Sequence, residues 1–336
     1  MPIVFLLLGL ARSVSAWAQP ESSPVAQTFK HEAMATEFEF TLCSRPEDKD
    51  GRNLEVIARQ AFAEVDYLED RISNWQPLSQ ISRINRDAAA QPVGADEEII
   101  KLLLDCRRMT EATNGAFDIS VGPLIRLYGF YRKSGRLPNE EELSEARACV
   151  GMDKVVINKD ERTVFFTRKG VSLDFGGIGK GMALDKAADV LRKNGISNAL
   201  LNAGTSSVLG IGAPPGENGW TVRIRHPRRT NDIIATVVIK DESLSTSGCY
   251  GQQMVVDGEV ICHILDPRTG KPITGMLTAS AIARTATETD ALSTAFMVLG
   301  PEGTREYCKQ HKDVRAILAA VPDQGEPTPE HLNFDE

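Results

Sequence analysis

The chain has no surplus of positive charge. Its 38 Lys and Arg stand against 46 Asp and Glu, a formal net charge of −8 over 336 residues. No general basic field exists to follow a nucleic-acid backbone, so nucleic acid is not an expected partner. A small anion held in one locally positive site stays compatible with that balance. There is no C-x-x-C pair either. Cys43, Cys106, Cys149, Cys249, Cys262 and Cys308 are scattered, which argues against a zinc knuckle or a thioredoxin-type redox site. No apolar run is long enough to anchor the chain across a bilayer. Internal repeats and low-complexity linkers are also lacking. One compact unit over residues 28–321 is expected, with an acidic, Pro-containing tail, 322–336, expected to be disordered.

What is present begins with a short apolar run, Pro2 to Ala11, then small residues ending Ala16-Trp17-Ala18. That A-x-A ending suits signal peptidase, so residues 1–18 read as a signal peptide and the mature chain as periplasmic. No Lys or Arg precedes the run, and Gln19 rather than Cys follows the cleavage site, so a lipid anchor is not expected. Export permits disulfides. Cys249 and Cys262 flank an Asp257-Gly258 turn, but a two-residue hairpin loop pairs Cys262 with Gln253, and no bridge between the two cysteines is predicted.

Hydrophobic spacing at three and four predicts helices over 53–74 and 96–113, the second stopped by Asn114-Gly115. A short polar helix starts at Asn139 with Glu142 as its capping-box partner. Alternation predicts strands at 154–158, 163–168, 171–175, 199–202, 220–225, 233–239, 252–256, 259–264, 279–283 and 314–320. Helices are expected from Met182 to Asn194 and from Thr289 to Leu299. Hairpins mixed with single helices indicate an α+β fold, largely antiparallel or mixed sheets flanked by helices.

Three constellations carry chemistry. Gly176-Gly177-Ile178-Gly179-Lys180-Gly181 joins a predicted strand to a helix, an arrangement that aims backbone N–H groups at an anion, with Lys180 adding charge. Gly181 after the lysine excludes a P-loop, and the glycine spacing is wrong for a Rossmann fingerprint. A plain strand-to-helix turn reads the same way. Asp290 and Thr294 lie one helical turn apart on one face, a hard-oxygen pair suited to Mg2+ or, equally, to ordinary capping. Of the five histidines, His263 alone sits in a polar, turn-rich segment, His263-Ile264-Leu265-Asp266-Pro267-Arg268-Thr269-Gly270. Its imidazole suits a general base; a structural histidine bonding the loop backbone is the alternative.

Taken in order, these segments resemble the ApbE family of FAD:protein FMN transferases. The resemblance runs through Met34-Ala35-Thr36, Ser79-Gln80-Ile81-Ser82-Arg83-Ile84-Asn85 and Thr113-Asn114-Gly115-Ala116-Phe117-Asp118-Ile119-Ser120-Val121-Gly122-Pro123. It continues through the glycine run, Thr246-Ser247-Gly248, the His263 segment and Asp290-Ala291-Leu292-Ser293-Thr294. It implies a T-fold-like α+β body with FAD held between two halves. Met34, Trp75, Ala116, Phe117, Asp118, Asp174, Lys180 and Leu265 match FAD-contacting positions, and the Gly177 carbonyl, Asp290 and Thr294 match Mg2+ ligands. Trp75 and Phe117 offer apolar faces to a flavin or adenine ring, or simply pack in the core.

The implied reaction is Mg2+-dependent transfer of FMN from FAD to a threonine hydroxyl, with AMP leaving. His263 would be the base and Asp266 its orienting partner. The implied partners are periplasmic or membrane-bound flavoprotein subunits that carry the acceptor threonine. The alternatives are an FAD pyrophosphatase that uses water, and an FAD-binding protein without catalysis.

Overall fold

The computed structural model describes residues 26–43, 53–130, 135–229, 231–249, 253–256, 259–322 and 324–334. The expected signal peptide, 1–18, and the Asp257-Gly258 turn lie outside the described residues.

The chain opens with a hairpin, β1 (Ala26–Ala33) and β2 (Thr36–Cys43). Met34 and Ala35 at its tip take φ of 50° and 57°, the left-handed pair that a two-residue primed turn requires. Next come α1 (Leu54–Ile72), α2 (Gln80–Asp87), β3 (Val93–Gly94), α3 (Glu97–Ala112), α4 (Gly122–Leu127) and α5 (Glu140–Arg147). Asn53 and Asp96 cap α1 and α3, and Asn139 with Glu142 makes the capping box of α5. On α1 the residues Leu54, Ile57, Ala61, Val65, Leu68 and Ile72 are buried, the stripe that a 3.6-residue period demands.

The second half contains β4 (Val155–Asn158), β5 (Thr163–Phe166), α6 (Gly179–Lys193), β6 (Ala199–Ala203) and β7 (Ser207–Ile211). It continues with β8 (Trp220–Arg225), β9 (Ile233–Ile239), β10 (Glu242–Gly248), β11 (Gln253–Val256), β12 (Glu259–Cys262) and β13 (Met276–Ala283). It closes with α7 (Ala286–Gln310), β14 (Arg315–Ala320) and β15 (Glu330–Leu332). An eight-stranded sheet in the order β1-β2-β6-β7-β10-β13-β14-β15 is the backbone of the fold, with every neighbouring pair antiparallel. α6 lies between α1 and α7, and α7 packs on β10 and β13. The α+β expectation, with antiparallel pairing, holds.

Four expectations need correction. Residues 171–175 do not form a strand; apart from a single parallel bridge from Ser172 to Val121, the segment is irregular. At Leu173 the backbone bonds side chains instead: its N–H donates to Asn85 Oδ1 at 2.7 Å, and its carbonyl accepts from Asn74 and Asn85. α6 starts at Gly179, not Met182, so Lys180 and Gly181 belong to its first turn. The tail is not disordered throughout: β15 pairs with β14, and Asn333 Nδ2 donates to the carbonyls of Cys308, His311 and Val314. Finally, Cys249 and Cys262 are disulfide-bonded, with Cα atoms 5.0 Å apart. The predicted Gln253–Cys262 register is present. Cys249, however, lies outside that ladder at the end of β10, and hairpin register says nothing about where the chain before the hairpin runs.

Candidate active site

Helices α6 and α7 pack against each other at their N-terminal turns. A Cβ at Gly181 would overlap the Ala286 carbonyl and come within 2.8 Å of the Asp290 Cβ, so only glycine lets the two backbones approach this closely. The contact is polar as well. Gly181 N donates to Asp290 Oδ2 at 2.9 Å, and Ser207 Oγ donates to Asp290 Oδ1 at 3.2 Å. Asp290 therefore caps α6, a helix whose own N-cap residue, Ile178, supplies no side-chain bond. An anion there meets both exposed N–H groups and the positive end of the helix.

Thr294 follows on the same face of α7. Its Oγ1 lies 3.3 Å from Ser247 Oγ, which is also 2.9 Å from Ser293 Oγ. Gly177 sits against this group: a Cβ on it would lie 3.3 Å from Thr294 Oγ1 and 3.6 Å from Phe117 Cε2. Thus Gly177, Asp290 and Thr294, far apart in sequence, share one neighbourhood. Lys180, half-buried in the first turn of α6, makes no hydrogen bond or ion pair among the described residues.

The other candidates form the surround. Asp174 Oδ1 accepts from Gly176 N and its Oδ2 from Asn74 Nδ2, while its own N–H donates to Ile119 O at 2.6 Å. Asp118 is buried, with Oδ1 accepting from the amide and hydroxyl of Ser120 and Oδ2 from Met152 N. Burial pushes its pKa up, and the hydrogen bonds from Ser120 and Met152 oppose that rise. Ala116 and Phe117 are core residues, so Phe117 packs rather than standing open. Trp75 is 70% exposed. Met34 donates its N–H to Glu69 Oε2 near the end of α1. Leu265 is buried among Leu124, Tyr128, Leu143 and Val150.

His263 follows Cys262 directly, and the disulfide ties that position to Cys249, two residues beyond Ser247. Asp266 does not hydrogen-bond the imidazole. Its carboxylate accepts from Arg268 N, Nε and a terminal guanidinium nitrogen, each at 2.9 Å. Arg268 in turn covers Gly115, whose φ is +77° and whose Cβ, if present, would sit 3.5 Å from Arg268 Cγ. Asp266 therefore positions an arginine over the Asn114-Gly115 turn. Beside this turn a cleft of about 910 Å³ is lined by Asn114, Asp118, Arg147, Met152 and Arg268 among others, but by none of Gly177, Asp290 and Thr294.

Known proteins share this fold. The ApbE family model matches residues 34–318. The chain belongs to the ApbE family. An FAD:protein FMN transferase of Klebsiella pneumoniae is 33% identical over 273 residues, covering 78% of this chain and 76% of that protein. The ApbE protein of Thermotoga maritima superposes with a TM-score of 0.80 at 30% identity, covering 88% and 94% of the two chains. The apo flavinyl transferase ApbE of Pseudomonas stutzeri gives 0.82 at 26%, covering 92% and 95%.

The ApbE-type segments also contain residues whose part emerges only in three dimensions. Asn85, the last residue of Ser79–Asn85, bonds Asn74 Oδ1 and both backbone groups of Leu173. Ser79 caps α2 and donates to Ser73 O. Together they lock the loop carrying Trp75 onto the segment carrying Asp174. Gly122 is required because a Cβ would lie 2.6 Å from Ser172 O. Asp185 and Ser207, which contact the ends of α7 and Asp290, belong to no segment that marked the resemblance. An acid one turn after Gly181 was the available signal.

Proposed function

We propose that this chain transfers FMN from FAD to a threonine hydroxyl of an acceptor flavoprotein, using Mg2+ and releasing AMP. The observation that carries the reading is the meeting of Gly177 and Thr294 beside Asp290, which caps α6, with Lys180 in the first turn of that helix. The names of the relatives support flavin transfer; the cation rests on the oxygen ligands of this site, and the acceptor and leaving groups on the resemblance to the ApbE family.

The residues present fit Mg2+. They are hard oxygens: one buried carboxylate, one hydroxyl and a backbone carbonyl. Each Asp290 oxygen accepts one hydrogen bond among the described residues, which leaves further lone pairs for a cation. Among the described residues no three or more His, Cys, Asp or Glu side chains are grouped so as to hold a metal ion, so substrate phosphate and water would complete the shell, the usual habit of Mg2+. When bound, Mg2+ supplies neutralisation of charge developing on the pyrophosphate oxygens.

The chain's own groups do the rest. Lys180, in the first turn of α6, holds the pyrophosphate through its ammonium, and Trp75 is placed to stack on the flavin or adenine. The acceptor hydroxyl attacks the FMN-side phosphorus; the new P–O bond forms as the bond to AMP breaks. His263 takes the hydroxyl proton, and AMP departs with the bridging oxygen. Export to the periplasm is proposed from the Ala16-Trp17-Ala18 ending and is supported by the disulfide, which persists in oxidising compartments. Acceptors would then be periplasmic or membrane-bound flavoprotein subunits.

One incubation tests the reading: protein, FAD, Mg2+ and an acceptor domain with its threonine. Covalently yellow acceptor plus AMP is expected. Free FMN plus AMP without labelled acceptor would make the chain a pyrophosphatase, and unchanged FAD a binding protein. In the same assay His263→Ala should lose most transfer at neutral pH while still binding FAD.

A further inference from the structure

Asp185 stands on α6 one turn after Gly181 and reaches across to the start of α7. Its Oδ1 accepts from Ala286 N at 2.9 Å; its Oδ2 accepts from Thr287 N at 2.8 Å and from Thr287 Oγ1 at 2.6 Å. These amides belong to the first turn of α7, where N–H groups lack intrahelical partners. Asp290 does the same in the opposite direction for Gly181 of α6. The two helices thus cap each other, each with a carboxylate from its partner, while Gly181 removes the side chain that would separate them.

This clamp has a consequence for the cation residues. Asp290 and Thr294 are one and two turns into α7, whereas Gly177 precedes α6. Their separation is therefore the separation of two helix ends, and the helices are joined there by Asp185 on one side and Asp290 on the other. Asp290 cannot serve as the sole tie, because a carboxylate drawn toward a cation shifts away from Gly181 N. A second tie that the cation does not touch keeps the ends in place.

We propose that Asp185 is a positioning residue for the cation site: by capping α7 it sets the distance from Gly177 to Asp290 and Thr294. The proposal rests on the Mg2+ reading above. Asn at 185 has nearly the same shape, but its one oxygen cannot accept all three bonds and its NH2 would face an N–H, so the clamp loosens without a large volume change.

The test is Mg2+ binding by calorimetry on the full chain with FAD present, for wild type, Asp185→Asn and Thr287→Val, well below each protein's Tm. Asp185→Asn should weaken Mg2+ about tenfold, the scale of removing an orienting partner behind a metal ligand. Thr287→Val, which deletes only the hydroxyl bond, should give a smaller shift in the same direction and serves if the Asn variant does not fold. FAD affinity measured without Mg2+ should not move. Unchanged Mg2+ affinity in Thr287→Val and Asp185→Asn, with Tm lowered, would make Asp185 a stability residue only and overturn the proposal. Wild type that binds no Mg2+ in the presence of FAD would overturn the cation reading and the proposal with it.

Discussion

Lys180 is a half-buried cation with no polar partner among the described residues, standing in the first turn of a helix that lacks a side-chain cap of its own. Because its ammonium holds nothing among the described residues, Lys180→Met should leave Tm within a degree or two. It should raise the Kd for FAD at least about tenfold, since one charge-assisted hydrogen bond to phosphate is worth roughly 1.5–3 kcal/mol. Equilibrium FAD titration beside a thermal melt checks both. Asp118 makes a prediction of opposite kind. Burial, the larger cause, raises its pKa above the ordinary 3.8. As pH rises from that value through the folded pKa, the unfolded chain has already released the proton and the folded one has not, so stability falls across that window. Asp118→Asn should flatten that part of the stability–pH curve, measured by urea denaturation between about pH 4 and 6. Asp185 and Glu288 are shifted the same way by burial, so the slope should shrink rather than vanish.

At the scale of elements, the loops around the site are held by side chains more than by sheet pairing. Asn74 and Asn85 supply hydrogen bonds that a neighbouring strand would otherwise give residues 173–174. This is why alternation at 171–175 was misleading: extended backbone needs partners, and amide side chains can provide them. β10 shows the reverse. Glu242-Ser243-Leu244-Ser245-Thr246-Ser247-Gly248 has no apolar stripe to mark it as a strand, yet it is central in the sheet. Ser243 and Ser245 both bond Thr289, and Ser247 bonds Ser293. Beneath α7 the core is a hydroxyl seam, invisible to hydrophobic patterning. β10 is also where the disulfide begins. Cys249 and Cys262 are 13 residues apart, and closing a loop of that size is worth about 2–3 kcal/mol. Cys249→Ser with Cys262→Ser should lower Tm by roughly 5 °C and slow transfer, because the position before His263 loses its tether. Melting curves and single-turnover labelling of the acceptor read the two effects.

For the whole molecule, the C-terminal segment closes the main sheet. β15 covers the outer edge of β14, Asn333 satisfies three carbonyls between α7 and β14, and Arg305 pairs with Glu330. Ending the chain at Val321 should cost at least about 2 kcal/mol through the lost carbonyl partners. It should also leave β14 as an open edge prone to pairing with other copies. Urea denaturation and light scattering of the shortened protein would detect these changes; equal stability and a monodisperse sample would contradict them. The acidic, Pro-containing composition of the tail pointed to disorder because composition weighs burial per residue. A three-residue strand and one asparagine act through position instead.

Local periodicity alone determined α1, α3, α5, the β4–β5 and β8–β9 hairpins and the Gln253–Cys262 register, since each is decided by residues within a few turns of one another. The ordered set of short motifs likewise determined the family and the neighbourhood of Gly177, Asp290 and Thr294. Only tertiary structure decided that Asp266 serves Arg268, that Phe117 packs inward while Trp75 stays exposed, and that Cys249 reaches Cys262. It also decided that Asp185 and Asp290 cap each other's helices. Those outcomes depend on which distant backbone happens to present a donor, a face or a sulfur at contact distance, and no spacing along one chain encodes that directly.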